Sequence, residues 1–501
     1  MKKKNWFKLK RYPHIGIPVS TKQIPTIVSY ITNPECIRKH AFTPFIYSPK
    51  ETRRFRKTLL ANGKKSKIRA VELKKRPILY ANNIDSNIFS YYSSIINKKY
   101  ESKLIDSKLD QVVTAYRPIP LDHTKVNGRN KCNVDFAEEI FNYIRDNNSP
   151  KLSAIAMDIK GFFDNLDHSI LKHKWKEVMD HRCSLKPDHY NVFKNLTKYS
   201  YILEKEIYTK FRNEIIVRKP NGDVRKENVA KFKFLKKRGA IAFCTSKELE
   251  VLRNESYIKT NRTDEDGKLI NKGIPQGSPI SAILANLYLL DFDKDVLNFI
   301  NERGGLYRRY SDDLVVVVKT KYEQEVIEFI SNQISNLKLT IHPNKTQRFR
   351  FIKCASRYFC FEYLKDRNEY STRTRFDYLG FSFDGYFTYL KSSVLSKYYR
   401  KMKRAIKRGH FFSEHTTNDK TSGEIFYNRL YKGYTHLGKE RRMKYKRHPT
   451  KSNYFLVTKE NDWGNFLSYA FLASETMRNN KIRKQVKNHW KIFHNSLSAF
   501  G

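Results

Sequence analysis

The sequence predicts an α+β fold, a β-sheet with helices on one face, followed by a mainly helical and very basic C-terminal region. Three observations predict it. LSAIAMD (152–158) begins as an apolar strand, and LVVVV (314–318) is an apolar run of β-branched valines; both suit buried strands. Helix-period segments lie between and after them, in the order strand, helix, hairpin, helix, strand. Beyond about residue 390, SSVLSKYYRKMKRAIKRG places Val394, Tyr398, Met402 and Ile406 on one stripe at i+4 spacing.

Residues 1–60 read as a basic extension with some helix. KKSKIRAVELKKRPILY (64–80) reads as two basic strands or a strand pair, and IFSYYSSIINKKYESKL (88–104) as a helix with one core face. AYRPIPLDHTKVNGRNK (115–131) is turn-rich, and DFAEEIFNYIRD (135–146) is a short amphipathic helix. The strand at 152–158 ends in polar turn chemistry, where Asp167 can cap a helix from His168 onward. Residues 170–270 are long, basic and poorly periodic, with a hairpin at IIVRKPNGDVRKE around Asn221-Gly222. GIPQGSPISAILANLYLLDFDKDVLNFI (273–300) is a Gly/Pro loop followed by a helix. RRYSDDLVVVV (308–318) is a hairpin turning at Ser311-Asp312-Asp313. YEQEVIEFISNQISNL is a helix, LKLTIHPNKTQRFRF is strand, turn and strand, and FDYLGFSFDGYFTYL is a further hairpin. In the last region Ser392 or Ser393 starts a helix and Gly409 is expected to stop it.

Composition restricts the partners. Lys and Arg number 98 against 50 Asp and Glu, a formal charge of +48. Such an excess is held together at a cost in self-repulsion and points to a polyanion, most often nucleic acid. The 32 Tyr and 33 Phe include candidates for base stacking. No run is long enough to span a bilayer, and MKKKNWFKLKRYP lacks the apolar core of a signal peptide, so no membrane partner is expected. The six cysteines (36, 132, 183, 244, 354 and 360) form no CxxC, which points to a reducing, cytoplasmic setting without zinc ribbons or disulfides.

Two adjacent carboxylates, Asp312 and Asp313, stand at the mouth of the valine run, where like charges repel unless a cation neutralises them. Asp158 ends the other apolar strand. If the two strands are neighbours, three carboxylates converge at one rim and can hold two Mg²⁺ ions ~4 Å apart, with Mn²⁺ as a substitute. Such a pair activates an attacking hydroxyl and stabilises a leaving oxygen. Asp164, Asp167 and His168 read as turn and cap residues instead.

With these residues in view, the chain resembles reverse transcriptases of the bacterial stand-alone and group II intron-like branch. MDIKGFFD, with Asp158, is similar to their motif A; GIPQGSPISAILANLYL to motif B; YSDD to motif C. LKLTIHPNKTQ, with Lys345, resembles motif D, and FDYLGFSF, with Tyr378 and Gly380, the primer grip of motif E. KKRPI, with Arg76, resembles the fingers segment over the incoming triphosphate. These segments occur in the family's order over roughly residues 65–385.

The resemblance implies a right-hand polymerase. Its parts would be an N-terminal extension (1–60), fingers (61–150), a palm (151–390) with a basic insertion at about 170–270, and a helical thumb-like region (391–501). Asp158, Asp312 and Asp313 would hold metal, with the backbone carbonyl of Ile159. Gln276 and Gly277 would lie against the nascent base pair, and Phe163 would be the gate that rejects a ribose 2′-OH. Lys345 would stand near the departing pyrophosphate and Arg76 on the triphosphate. Lys401, Arg404 and Arg408, on the basic helix, with Tyr378 and Gly380, would contact nucleic acid.

The implied partners are an RNA template, dNTPs and a DNA product, with a homo-oligomer left open. The long 158–273 interval departs from the simplest palm, and no Cys/His cluster follows it. The YYRKMKRAIKR run is similar to the C-terminal regions of defence-associated, abortive-infection-type reverse transcriptases. The expected role is therefore bacterial anti-phage defence with a dedicated structured non-coding RNA. The alternatives are an intron maturase, a retron-type mobile-element enzyme, an untemplated or protein-primed polymerase, and an RNA-binding protein without catalysis.

Overall fold

The computed structural model describes residues 6–10, 12–59, 65–122, 124, 128–219, 221–264, 266–343, 345–364, 367–416, 422–440, 442–447, 455–462 and 464–499. The first five residues of the basic N-terminus, and Asn344 of the LKLTIHPNKTQ segment, lie outside these.

Along the chain, β1 (Lys50–Leu59) and β2 (Lys65–Arg76) form a long antiparallel ribbon. Helices α1 (Asn83–Asp106) and α2 (Asn133–Arg145) follow, then β3 (Lys151–Asp158) and α3 (His168–Val178). Next come α4 (Ser281–Tyr288), α5 (Leu290–Glu302), β4 (Leu306–Tyr310), β5 (Asp313–Lys319), α6 (Glu323–Asn336), β6 (Gln347–Cys354), β7 (Arg357–Leu364) and β8 (Glu369–Arg373). A small sheet of β9 (Phe376–Tyr378), β10 (Phe381–Phe383) and β11 (Thr388–Leu390) precedes α7 (Ser392–His415) and α8 (Tyr427–Tyr434).

The central sheet has the order β4-β5-β3-β6-β7-β8, and every neighbouring pair is antiparallel. Alternation along β5 splits its apolar residues between two cores. Leu314, Val316 and Val318 pack with Ile155 and Met157 against α4, α5 and α6. Val315 and Val317 pack with Ala154, Phe349 and Phe351 against α2 and the β9–β11 sheet. Both faces are therefore covered, which is why the strand reads as an unbroken valine run rather than an alternating one.

Several expectations hold in detail. Asp167 caps α3 by accepting from the N–H groups of Ser169 and Ile170. The hairpin at 215–227 forms, with Ile215–Arg218 paired to Val224–Glu227. Tyr398, Met402 and Ile406 are the buried stripe of α7.

Other expectations need correction. The 64–80 segment is not a strand pair of its own: β2 pairs back with β1, inside the stretch read as an extension. Residues 1–60 and 170–270 are not separate appendages either. His14–Ile15 pairs with Ala240–Cys244 in one four-stranded sheet. Phe45–Tyr47 pairs with Ser200–Leu203 and Leu79–Tyr80 in another. Gly409 does not stop α7, which runs on to His415; the glycine lies where Ile425 and Leu430 pass close to the helix. The helix expected up to residue 300 is broken at Leu289 into α4 and α5. The C-terminal region also carries two paired strands, Arg442–Arg447 and Phe455–Asp462, where helix was expected. No described helix is long and apolar enough to cross a membrane.

Candidate active site

β3 and β5 set the site. Asp158, the last residue of β3, is the register partner of Asp313, the first of β5. Directly opposed residues of an antiparallel pair have Cα atoms about 4.5–5.5 Å apart. Asp312 lies in the two-residue turn between β4 and β5, next to Ser311 at φ +62°. Its carbonyl accepts the N–H of Ile159 at 3.1 Å, which ties the turn to the strand carrying Asp158. Ile159 is buried and bridges to Ile341, while Asp158 accepts through its own carbonyl from the His342 N–H at 2.7 Å. The 341–345 turn is thereby held beside the carboxylates, and Lys345 Nζ donates to Asp158 Oδ1 at 2.5 Å.

The charges register this crowding. Desolvation in the cleft wall, then the negative charges of Asp312 and Asp158, push the Asp313 carboxyl up to about 6 against the pull of Lys345 and Lys391. Asp313 stands at the exposed start of its strand, so the neighbouring charges are the firmer cause. Among the described residues no three His, Cys, Asp or Glu side chains are already gathered as an ion-binding set. The donors nonetheless suit a hard divalent cation: all are carboxylate oxygens, they repel one another, and an ammonium already rests on one of them.

Beneath the turn lies a group that sequence reasoning missed. Arg309, fully buried, is bound by both carboxylate oxygens of the fully buried Asp293, at 2.6 and 2.8 Å. Its guanidinium also donates to Asn286 Oδ1 and to the Ser311 carbonyl, both at 3.1 Å. The Tyr307 hydroxyl donates to Asp293 at 2.7 Å. α4 and α5 thus grip the Ser311–Asp312 turn through one charged network. RRY reads in sequence as a basic strand, and DFDKD as a polar helix start; nothing in either marks the pairing.

The remaining candidates fall around this rim. The carbonyl of Phe163 accepts the Ile274 N–H at 2.9 Å, so the half-buried ring stands beside the Gly273–Gly277 loop. The Gln276 carbonyl accepts the Leu79 N–H at 2.8 Å, and the Gln276 amide donates to Asp164 at 3.3 Å. Gly277 has φ +113°, and a Cβ there would lie 2.7 Å from the Leu79 carbonyl oxygen, so only glycine fits this approach. Arg76 is exposed at the end of β2, two residues from Ile78, which bridges to Gln276.

Tyr378 is buried, its ring stacked on Phe376 and its hydroxyl without a hydrogen-bond partner among the described residues. Burial first, then the Asp313 charge, pushes that hydroxyl's pKa well up. On α7, Lys401 and Arg408 line a cavity of about 1050 Å³ with Arg429, Phe412 and Phe426; Arg404 is exposed but outside it.

Residues 230–383 match the family model described as reverse transcriptase (RNA-dependent DNA polymerase). Over this stretch the chain is similar to a reverse transcriptase domain. The family that this model describes is one of RNA-dependent DNA polymerases. The match takes in the Gly273–Gly277 loop, the YSDD turn, Lys345 and the 376–383 hairpin. It leaves Asp158 outside, so Asp158 is tied to the matched stretch by structure: its pairing with Asp313, its ion pair with Lys345 and the His342 N–H on its carbonyl.

No curated protein matches the sequence. Solved structures similar to this chain include the apo telomerase of Candida tropicalis truncated from its C-terminal domain, at 10% identity and a TM-score of 0.35 over 68% of this chain and 53% of that one. Telomerase of Candida albicans with a fragment of telomeric RNA is 12% identical, with a TM-score of 0.36 over 95% and 66% of the two chains. The chain spans about half the length of the first of these. Likeness at this level carries nothing about activity or partner.

Proposed function

We propose that this protein copies an RNA template into DNA, adding nucleotides from dNTPs to a primer hydroxyl. The observation that carries the reading is the direct opposition of Asp158 and Asp313 at the end of two central strands, with Asp312 in the adjoining turn. Asp158, Asp312, Asp313 and the Ile159 carbonyl would hold two Mg²⁺ ions, which supply activation of the primer hydroxyl and stabilisation of the leaving oxygen. Lys345, whose ammonium rests on Asp158, would give a proton to the departing pyrophosphate. Arg76 offers a guanidinium fork to the triphosphate. The Gln276-Gly277 backbone gives a flat wall for the new base pair, and Phe163 closes the space under the sugar.

In this reading β3–β8 and their helices are the palm, the β1–β2 ribbon and α1 belong to the fingers, and α7 and α8 to a thumb-like region. The basic face of α7 contacts the template–primer backbone or a structured RNA. The biological role we favour is bacterial anti-phage defence, in the cytoplasm, with a dedicated non-coding RNA. Its support is the resemblance of the basic C-terminal run, and the genomic neighbourhood tests it.

The activity is tested by primer extension with the purified protein, comparing RNA and DNA templates of one sequence in Mg²⁺. The reading expects a DNA product on the RNA template, of templated sequence. Addition independent of the template would place the enzyme among untemplated polymerases instead.

A further inference from the structure

β7 and β8 lengthen the central sheet by two strands beyond β6, away from the catalytic rim. With the β9–β11 sheet and the start of α7 they enclose a groove of about 690 Å³. Arg357, Arg373 and Arg375 line it, all three exposed. Each is held over a ring: Arg373 lies 3.8 Å from the centroid of Phe359, Arg375 3.8 Å from Tyr389, and Arg357 5.4 Å from Tyr386. A guanidinium laid on a ring is attracted to it and has less freedom to lose when it meets a ligand.

The carboxylates in the same groove are already engaged. Asp384 accepts from the N–H groups of Tyr386 and Phe387 and from the Tyr389 hydroxyl. Glu362 accepts from the Gln347 amide, and Asp377 pairs with Lys391 at 3.1 Å. Among the described residues none of the three arginines lies within ion-pairing distance of a carboxylate. Lys391 neutralises Asp377, so the lining sets Arg357, Arg373 and Arg375 against Glu362 and Asp384; the net charge is positive, and the three ring-held guanidiniums are the exposed groups a phosphate would meet.

The groove also has a direction. Gln347, at its near end, is the register partner of Ala156, two residues before Asp158. Arg357 starts β7, and Glu362, five residues on, lies at the near end across from Phe349. Five strand residues span about 17 Å, the rise of about five stacked nucleotides.

We propose that this groove is a track for a single nucleic-acid strand running from the catalytic rim along β7, with Arg357, Arg373 and Arg375 on its phosphates. The inference rests on the polymerase reading for which strand lies there; the charge and shape of the groove do not depend on it.

The test compares the full-length protein with a triple variant, Arg357→Gln, Arg373→Gln and Arg375→Gln, and with the matching triple lysine variant. Binding of a labelled single-stranded oligonucleotide of about 20 nucleotides is measured against salt. The glutamine variant should lose about tenfold in affinity, and its log–log salt slope should flatten by about 2, as for three phosphates of a single strand. The lysine variant should keep most of the slope. Single-nucleotide extension of a short hairpin primer–template with a one-nucleotide 5′ overhang, too short to fill the groove, should change less than about twofold. An unchanged slope in a folded glutamine variant overturns the proposal. So does equal displacement of the oligonucleotide by inorganic tripolyphosphate at the same phosphate concentration, which would make this a site for free polyphosphate. Arginine-dependent strand binding by a wild type that extends no primer would instead count against the polymerase reading and leave the track standing.

Discussion

Arg309 and Asp293, neither exposed to solvent, form a bidentate ion pair directly beneath the Ser311–Asp312 turn. Removing one partner strands the other charge in the core. Asp293→Asn should destabilise the fold by about 3–5 kcal/mol, read as a lower urea midpoint. Because Arg309 also holds the Ser311 carbonyl, whatever folded protein remains should show a lower kcat for extension and little change in KM.

The pair also shows where sequence reading runs out. Asp158, Asp312 and Asp313 were legible because each sits at the end of an apolar strand within a recognisable run. Asp293 and Arg309 belong to one helix and one strand that each look half-solvated, and only packing makes them partners. The joint sheets of residues 14–47 and 200–260 were illegible for a related reason: strands of two to five residues carry too little periodicity to announce a partner so far along the chain. Gly409 misled because a glycine that admits a neighbouring segment looks the same in sequence as one that ends a helix.

The raised Asp313 carboxyl gives a pH signature. Its folded pKa of about 6 lies above the ordinary 3.8, so the folded state holds the proton more tightly. The stabilisation from that proton is complete below pH about 4 and is lost as pH rises through about 6. Mg²⁺ should therefore raise the melting temperature more at pH 7 than at pH 5. Asp158→Asn removes one like charge and should lower the Asp313 titration, whereas Lys345→Ala should raise it. Carboxyl-resolved NMR titration distinguishes the two.

Sugar choice tests Phe163. A ring under the incoming ribose leaves no room for a 2′-hydroxyl and offers it no hydrogen-bond partner, a desolvation loss of about 1–3 kcal/mol. Phe163→Ala should reduce dNTP-over-rNTP discrimination at least tenfold, about 1.4 kcal/mol, while Phe163→Tyr should be nearly silent. Single-nucleotide extension with matched dNTP and rNTP measures both. Undiminished discrimination in the alanine variant would make Phe163 a packing residue only.

Gly277 tests the loop geometry. At φ +113° with a backbone oxygen 2.7 Å from where a Cβ would stand, Gly277→Ala must push the loop off Leu79. Extension should fall by at least tenfold with only a modest drop in melting temperature, since Gly277 itself is exposed although Ile274 and Leu79 beside it belong to the first core. A large loss of stability with normal extension by the folded fraction would contradict this placement.

RNA binding should weaken steeply with salt. If six phosphates are neutralised, the log–log slope should be on the order of −4 to −5. Neutralising Lys401, Arg404 and Arg408 together should flatten it, with Lys401 and Arg408 contributing more than Arg404, which lies outside the α7–α8 cavity. An unchanged slope would mean that this face of α7 meets solvent or protein.

The most direct measurement of the central claim is DNA synthesis by the double variant Asp312→Asn, Asp313→Asn on a defined RNA template, with RNA binding followed in the same preparation. The carboxylates are proposed to hold metal, while affinity for RNA is spread over many Lys and Arg. Synthesis should be abolished and RNA binding should stay within a few-fold of wild type. Synthesis at the wild-type rate by the purified double variant would contradict the assignment of this rim as the active site.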